Sequence, residues 1–424
     1  RVAAGWVDGM GVAMPLHRVF GGRYQEAWPP RPGRSVVVPP EPPIDPCYLP
    51  ELPALLVFSE PSITGMPANL VFICERHGPG PEPEEPQYVI PLLRVYMQVH
   101  TIKAELLPGN ERVPLNNITI EAEDEGFGWT MSAAGPMSLM DQLAPVGGLP
   151  AQVRVTIDGI EWIFAIDPPG RSRSFGSRGA QIRGSSVTSL LGDPYMPAGT
   201  WTNTEPRTAQ QLVLEALDTT GVGVDWDIPD WLVPAGVWNF QGTPLAAAMR
   251  IAEAAGAVVR SHRTLPRLQF ESRYRHLPWH WATATPNVDM PSRIITSDAL
   301  EAAHNPPWEA VHLMGEEQGV WGHVVRLGTA EALLAPQVTD ALLTHVDVVQ
   351  ERGRAILGAQ GKRYMHPMTV PLLTGGTNPG LILPGYLLKV TEPSEVWRGL
   401  VRSISITAGM PTVRQSLRVE RYLP

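Results

Sequence analysis

Cysteine is almost missing from this chain. Its 424 residues hold two, Cys47 and Cys74, and no CxxC pair. Two thiols cannot complete a four-ligand zinc site by themselves. They are expected as free, buried side chains, with a disulfide as the other reading. Charge is scarce too, at 18% Asp, Glu, Lys and Arg against about 25% in ordinary domains. Two readings fit: surface hidden in an assembly, or simple dilution by proline. Lysine is rare beside arginine, no basic run stands out, and the net charge is −9. Proteins that read nucleic-acid sequence carry a concentrated basic footprint, so that class is disfavoured, and an acidic surface would let DNA pass without sticking. No apolar run approaches the about 20 residues needed to span a bilayer, and no signal-peptide pattern opens the chain. The first residue is Arg1, not methionine, so the start is read as processed or incompletely represented.

What is present in quantity is proline and glycine, 45 and 40 residues. They argue for many short strands and turns over long helices. The length allows about two to four domains. Trp28 to Pro50 is proline-rich, unable to build a sheet interior, and expected to run extended across a neighbour. Leu55–Ser59 and Leu70–Cys74 read either as a hairpin or as two unrelated apolar strands. The Pro/Glu stretch from Gly78 to Pro86 is a linker by composition.

Beyond the linker, Tyr88 to Tyr195 reads as all-β. Ile118–Glu123 alternates apolar and polar residues, so one face is wet. Val153–Phe164 reads as a hairpin turning at Asp158-Gly159, a pair that tolerates positive φ. Ser138–Leu143 is a short helix candidate. Arg171–Gly179 has the look of an RNA-binding basic loop but is one short Arg/Ser run, and is read as an exposed loop between strands that could contact an adjacent acidic subunit. A central module follows. Leu212, Val213, Ala216 and Leu217 have helical spacing, and Gly221 and Gly223 stop that helix. Trp226–Gly236 is read as an aromatic loop, because its prolines exclude helix and long strand. Thr243-Pro244 opens a second helix, with a hydroxyl N-cap and proline at the first turn, and Gly256 ends it. Val258–Arg260 and Leu268–Tyr274 then form a hairpin around Leu265-Pro266.

The last third returns to β. Val311–Met314, Trp321–Leu327 and Met368–Leu372 are candidate strands, and His345–Gln360 a helix with Val346, Val349, Ile356 and Leu357 on one side. Tyr386–Val390, Glu395–Thr407 and Val413–Arg421 form a three-strand meander.

Two stretches carry a resemblance. One is the order helix, Trp/Pro loop, Gly242-Thr-Pro-Leu, Ile251-Ala-Glu-Ala-Ala-Gly, then a hairpin ending in Arg273-Tyr274. The other is the meander, with Pro384-Gly-Tyr-Leu-Leu-Lys-Val, Trp397-Arg-Gly-Leu-Val-Arg-Ser-Ile-Ser-Ile and Gln415-Ser-Leu-Arg-Val-Glu-Arg. In this order the chain from Tyr88 to Pro424 resembles the tail hub proteins of long-tailed phages and gene transfer agents, the trimeric hubs of baseplate or tail tip. The resemblance implies a mainly β fold with an α+β insert: a Pro-rich extension over 1–85, a first tail-tube-like β-barrel over 86–200, a central α+β module over 201–279 and a second barrel over 280–424. It implies a homotrimer in the virion tail tip, assembled in the host cytoplasm. Its partners would be a distal tail or tail tube protein, the tape-measure protein, and a fibre, spike or tip-closing protein. Genomic DNA would pass through the channel without specific binding.

No catalytic, cofactor or metal residue is assigned, and no enzyme is expected. GxSxG, GxxxxGK[ST] and HExxH are missing from the sequence. His262, His276 and His280 lack zincin spacing. Glu121, Glu123, Asp124 and Glu125 are an acidic cluster, read as a solvated edge; the alternative is a wall-degrading glycosidase pair. Asp225/Asp227 and Glu316/Glu317 are read as solvated loops or weak cation sites. Trp226, Trp231 and Trp238 are read as core or interface aromatics; the alternative is a carbohydrate-binding platform.

Overall fold

The strand Asn116–Glu123 shows how the chain folds. Ile118, Ile120 and Ala122 turn inward and are buried, while Glu121 and Glu123 are exposed. A period of two lets a strand bury one face and wet the other. The computed structural model describes residues 88–423, apart from 95, 97, 125, 176 and 375–379. The Pro-rich extension, its two strand candidates, both cysteines and Glu125 lie outside the described residues. The fold is mainly β.

The organising strand is the 14-residue Val396–Gly409. Along one edge it pairs first with Leu387–Thr391 and then with Asn116–Glu123. Along the other it pairs with Thr412–Tyr422. The two β-rich segments on either side of the insert therefore join in one 16-stranded sheet. The first arm continues from Asn116–Glu123 through Trp129–Gly135, Ser177–Ser186, Ile160–Ile166 and Gln152–Ile157 to Ile102–Leu107. The second contains Thr412–Tyr422 and Lys362–Pro371, and on its other side Leu387–Thr391 and Val288–Pro291. One buried cluster runs across both arms, joining Ile118, Ile120 and Trp162 to Val401, Ile404 and Val419. The hairpin at Asp158-Gly159 forms as expected, with φ of 51° and 84°.

Three local expectations are corrected. The apolar run Tyr88–Val99, which the sequence alone offers as one or two strands, gives among its described residues only the two-residue strand Tyr88–Val89, which pairs in parallel with Val288–Pro291 of the second arm. The basic stretch after Gly170 is not a loop: Gly170–Ser174 and Ser177–Ser186 form a hairpin. The first part of the aromatic stretch is strand as well, since Gly223–Asp227 pairs in parallel with Arg267–Glu271. Pro229 and Pro234 stop strands only where they stand, which leaves Trp226 free to enter the ladder.

The insert has the expected helices. Ala209–Leu217 opens with a capping box, Thr208 accepting from the Gln211 N–H and Gln211 accepting from the Thr208 N–H. Pro244–Ala255 opens with Thr243 capping Ala246 N–H and ends at Gly256. The antiparallel pair Val258–Ser261 and Arg267–Glu271 follows. The insert's core takes in more chain than expected. Val311, Leu313, Leu343, Val348, Val349 and Leu357 pack into it with Trp231, Ile251 and Phe270. The helix Val346–Gly358 thus belongs to this core; Val346, expected on its buried side, is 55% exposed.

Gly256 is held at φ +67°, where an added Cβ would meet Ala355 Cβ at 2.8 Å; Gly221 sits at φ +72° with nothing within 4 Å. The pair separates backbone strain from steric conflict. Gly221→Ala is expected to cost about 1–2 kcal/mol from the left-handed backbone alone. Gly256→Ala adds overpacking of about 1–3 kcal/mol. Urea-unfolding midpoints of the two variants check the order.

Candidate functional site

The two arms and the insert meet at a buried cluster of charge. Its centre is Arg402, the extra residue in a β-bulge where the register shifts between Val401 and Ser403. A bulge re-aims a side chain out of the alternation. Arg402 donates to Asp124, at the end of Asn116–Glu123, and to Glu420 at 2.5 Å. Its guanidinium lies 4.6 Å from the Tyr274 ring centroid. From the insert, Arg260 reaches the other Asp124 oxygen at 2.5 Å and also bonds Pro384 O. From the second arm, Arg363 takes the other Glu420 oxygen, the Tyr274 hydroxyl at 3.3 Å and Gly358 O at 2.9 Å.

Every oxygen of Asp124 and Glu420 is thereby committed to a different guanidinium contact. Both carboxylate side chains are 2% exposed. Burial works against the Arg402 charge, but Glu420, Tyr274 and Asp124 outweigh it and hold the guanidinium proton more tightly than usual. Burial pushes the Tyr274 phenol up, against the pull of Arg402. Beside the cluster lies a cleft of about 410 Å³, lined among others by Glu123, Tyr274, Asn305, Met365 and Arg418.

Glycosidase chemistry needs a carboxyl with room for substrate and proton transfer. Asp124 has none, its oxygens being taken by arginine. Of the acidic cluster, Glu121 is exposed and accepts from Ser405 at 2.9 Å, and Glu123 is exposed; the solvated reading is corrected for Asp124 alone, which is buried. Asp225 pairs with Arg267, whose hydrogen bond lowers the Asp225 pKa, and Asp227 pairs with Arg275 at 3.1 Å. Glu316 and Glu317 lie exposed in a turn. His262 Nδ1 accepts the backbone N–H groups of Thr264 and Leu265 at 3.2 and 3.0 Å; burial, then Arg263, holds the imidazole below its ordinary pKa. His276 and His280 are exposed. Among the described residues no group of three or more His, Cys, Asp or Glu is placed to hold a metal ion.

Trp226, Trp231 and Trp238 pack into the insert's core. Trp231 and Trp238 are buried, Trp231 Nε1 donates to Leu342 O at 3.1 Å, and Trp226 packs 4.7 Å from the Phe270 ring. They offer no open platform to a sugar.

Sequence reasoning missed the network because its members lie far apart in the chain: Asp124, Arg260, Arg363, Arg402 and Glu420. The one available signal was Arg402 and Glu420 standing inside apolar meander strands, where a charge needs a partner.

No family model and no curated relative matches the sequence. Solved structures do. The tail protein from Neisseria meningitidis MC58 superposes with a TM-score of 0.55 at 13% identity, over 76% of this chain and 97% of that one. The 43 kDa tail protein of prophage MuSo2 from Shewanella oneidensis gives 0.52 at 15% identity, over 76% and 98%. The chain has the fold of these tail proteins, as the resemblance in its insert and meander implies.

Removing one partner from a buried ion cluster strands the others, at a cost of about 3–5 kcal/mol. Asp124→Ala is expected to lose stability in that range by urea unfolding. Glu121→Gln, three residues away but exposed, is expected to stay within about 0.5 kcal/mol of wild type.

Proposed function

We propose that this protein is a structural hub of a phage tail tip or baseplate, acting without catalysis. Three copies form a ring that continues the tail-tube channel, and the two β arms of each copy supply six wall units to a six-fold tube above a three-fold tip. The segment 86–200 and the large-sheet strands of 280–424 form the barrels of that wall, and 201–279, with the strands and helix of 310–358 packed into its core, forms the module that braces them; 1–85 docks onto a neighbour. Distal tail or tube protein and the tape-measure end lie above, and a fibre, spike or tip-closing protein below. The protein resides in the virion and assembles in the host cytoplasm.

The observation that carries this reading is the outer face of the shared sheet. One continuous row across seven strands reads Ser297, Thr369, Ser416, Ser405, Glu121, Thr130 and Ser185. The next row over has Arg414, Thr407, Thr119, Ser132 and Arg183. Large apolar groups are missing from both rows, while the opposite face buries Ile118, Ile120, Ile404, Ile406 and Leu417. Short hydroxyl side chains with few charges among them suit a wall that a polyanion slides past, since retention of DNA grows with the number of phosphates neutralised. The slip expected from net acidity is here attributed to hydroxyls.

Two outcomes test this. Light scattering of the purified chain is expected to give a trimer, and gold labelling of assembled tails to mark the tip alone; a monomer, or label along the shaft, removes the hub reading. Lysine at Thr130, Ser405 and Ser416 together is expected to make particles that stall during DNA release, with thermal stability unchanged. Release at the wild-type rate would show that this face is not the wall.

A further inference from the structure

Beyond Ala180, where pairing with Gly135 ends, the hairpin Gly170–Ser174/Ser177–Ser186 runs on with only its own two strands. This arm carries Arg171, Arg173 and Arg178, all exposed, and its turn holds Phe175, fully exposed. Arg173 stands directly opposite Arg178. Like charges in facing positions destabilise a strand pair. None of the three arginines has an ion-pair partner among the described residues. A hairpin that breaks two local rules at once, apolar tip and unrelieved charge, is explained by a surface that supplies what it lacks.

We propose that this arm is a clasp between copies of the chain, its arginines meeting acidic surface on a second copy and Phe175 entering an apolar recess there. The proposal rests on the hub reading and names a contact that holds the ring. Charge selects the partner. The arm is the concentrated basic element of a chain whose net charge is −9, so another copy offers the complementary sign. The surroundings favour protein over nucleic acid. By strand register the turns at the same end of the sheet carry Met137, Val146, Leu149 and Met410, all exposed. An arginine-flanked aromatic amid apolar side chains has the composition of an interface anchor. A phosphate-tracking surface would be basic throughout.

The test is sedimentation of the purified full chain at low and high salt, with three variants. Arg173→Glu/Arg178→Glu and Phe175→Ser are each expected to weaken association by about tenfold or more, with circular dichroism and thermal melting as in wild type. Arg207→Glu/Arg293→Glu makes the same charge change at exposed sites elsewhere and is expected to associate normally. Added salt is expected to weaken wild type and, by screening the repulsion that the new carboxylates introduce, to strengthen association of the charge-reversed arm, so that the two converge at high salt. If wild type and arm variants associate equally, the clasp is wrong and the hub stands. If wild type is monomeric throughout, both fail. If wild type retains duplex DNA on a filter and the arm variants do not, while association is equal, the arm is a nucleic-acid contact and the proposal is overturned.

Discussion

The structure depends on an ion cluster in which no two members come from neighbouring sequence. Asp124 ends a strand of the first arm, Arg260 lies in the insert, and Arg363, Arg402 and Glu420 belong to the second arm. Replacing such a cluster with well-packed apolar residues is often neutral or stabilising, so its presence is weak evidence for stability. Its value here is geometric. Apolar contacts tolerate sliding, whereas a carboxylate whose two oxygens answer to two guanidiniums accepts one placement. Shifting the insert relative to the arms would strand Asp124 at once. Glu271, 3.6 Å from Arg260 and partly exposed, offsets the third arginine.

The bulge makes the cluster possible. In an unbroken ladder Arg402 would share an alternating face with its strand neighbours. The extra residue instead lets Val401 stay in the core and Ser403 stay on the wet face, and frees Arg402 to turn into the junction. The backbone is tied at the same point, with Asp124 N–H donating to Arg402 O at 2.7 Å. Glycines let the insert close against its own helix. A Cβ at Gly353 would meet Val324 at 2.6 Å, and one at Gly322 would meet Val349 at 2.3 Å. Close approach there needs a missing side chain on each element.

Local signals in the sequence carried far. Thr243-Pro244 and Gly256 set both ends of a helix through capping chemistry, Asp158-Gly159 set a hairpin through positive φ, and the C-terminal meander followed from alternation. Each is a property of a few adjacent residues. The aromatic stretch was misjudged because proline was allowed to speak for Trp226, which the ladder with Arg267–Glu271 claims. Val346 was misplaced because helical spacing gives a face but not the partner that covers it. Asp124 was grouped with its exposed neighbours because an acidic run resembles solvent-facing sequence; only the arginines folded in from 260 and 402 set it apart. The site was therefore the least legible part, being built entirely of pairs distant in the chain.

The sheet also constrains how a neighbour can meet this chain. Exposed strand edges invite indiscriminate pairing, and natural sheets shorten or charge them. Here the two ends of the main strand path are two residues long, Glu111–Arg112 with both side chains exposed at one end and Tyr88–Val89 at the other. The longer branch strands with one partner each carry exposed charge instead, Arg171 and Arg173 on Gly170–Ser174 and Glu301 on Glu301–His304. The broad outer face offers little either, since hydroxyls already bonded to one another, as Thr369 is to Ser416 at 3.2 Å, gain nothing by leaving water. Specific association then falls to side chains on projecting elements. Under the proposed hub reading the outer face must stay smooth; with that face and the sheet edges both kept quiet, the turns at the ends of the strands are left as the place where recognition can be written.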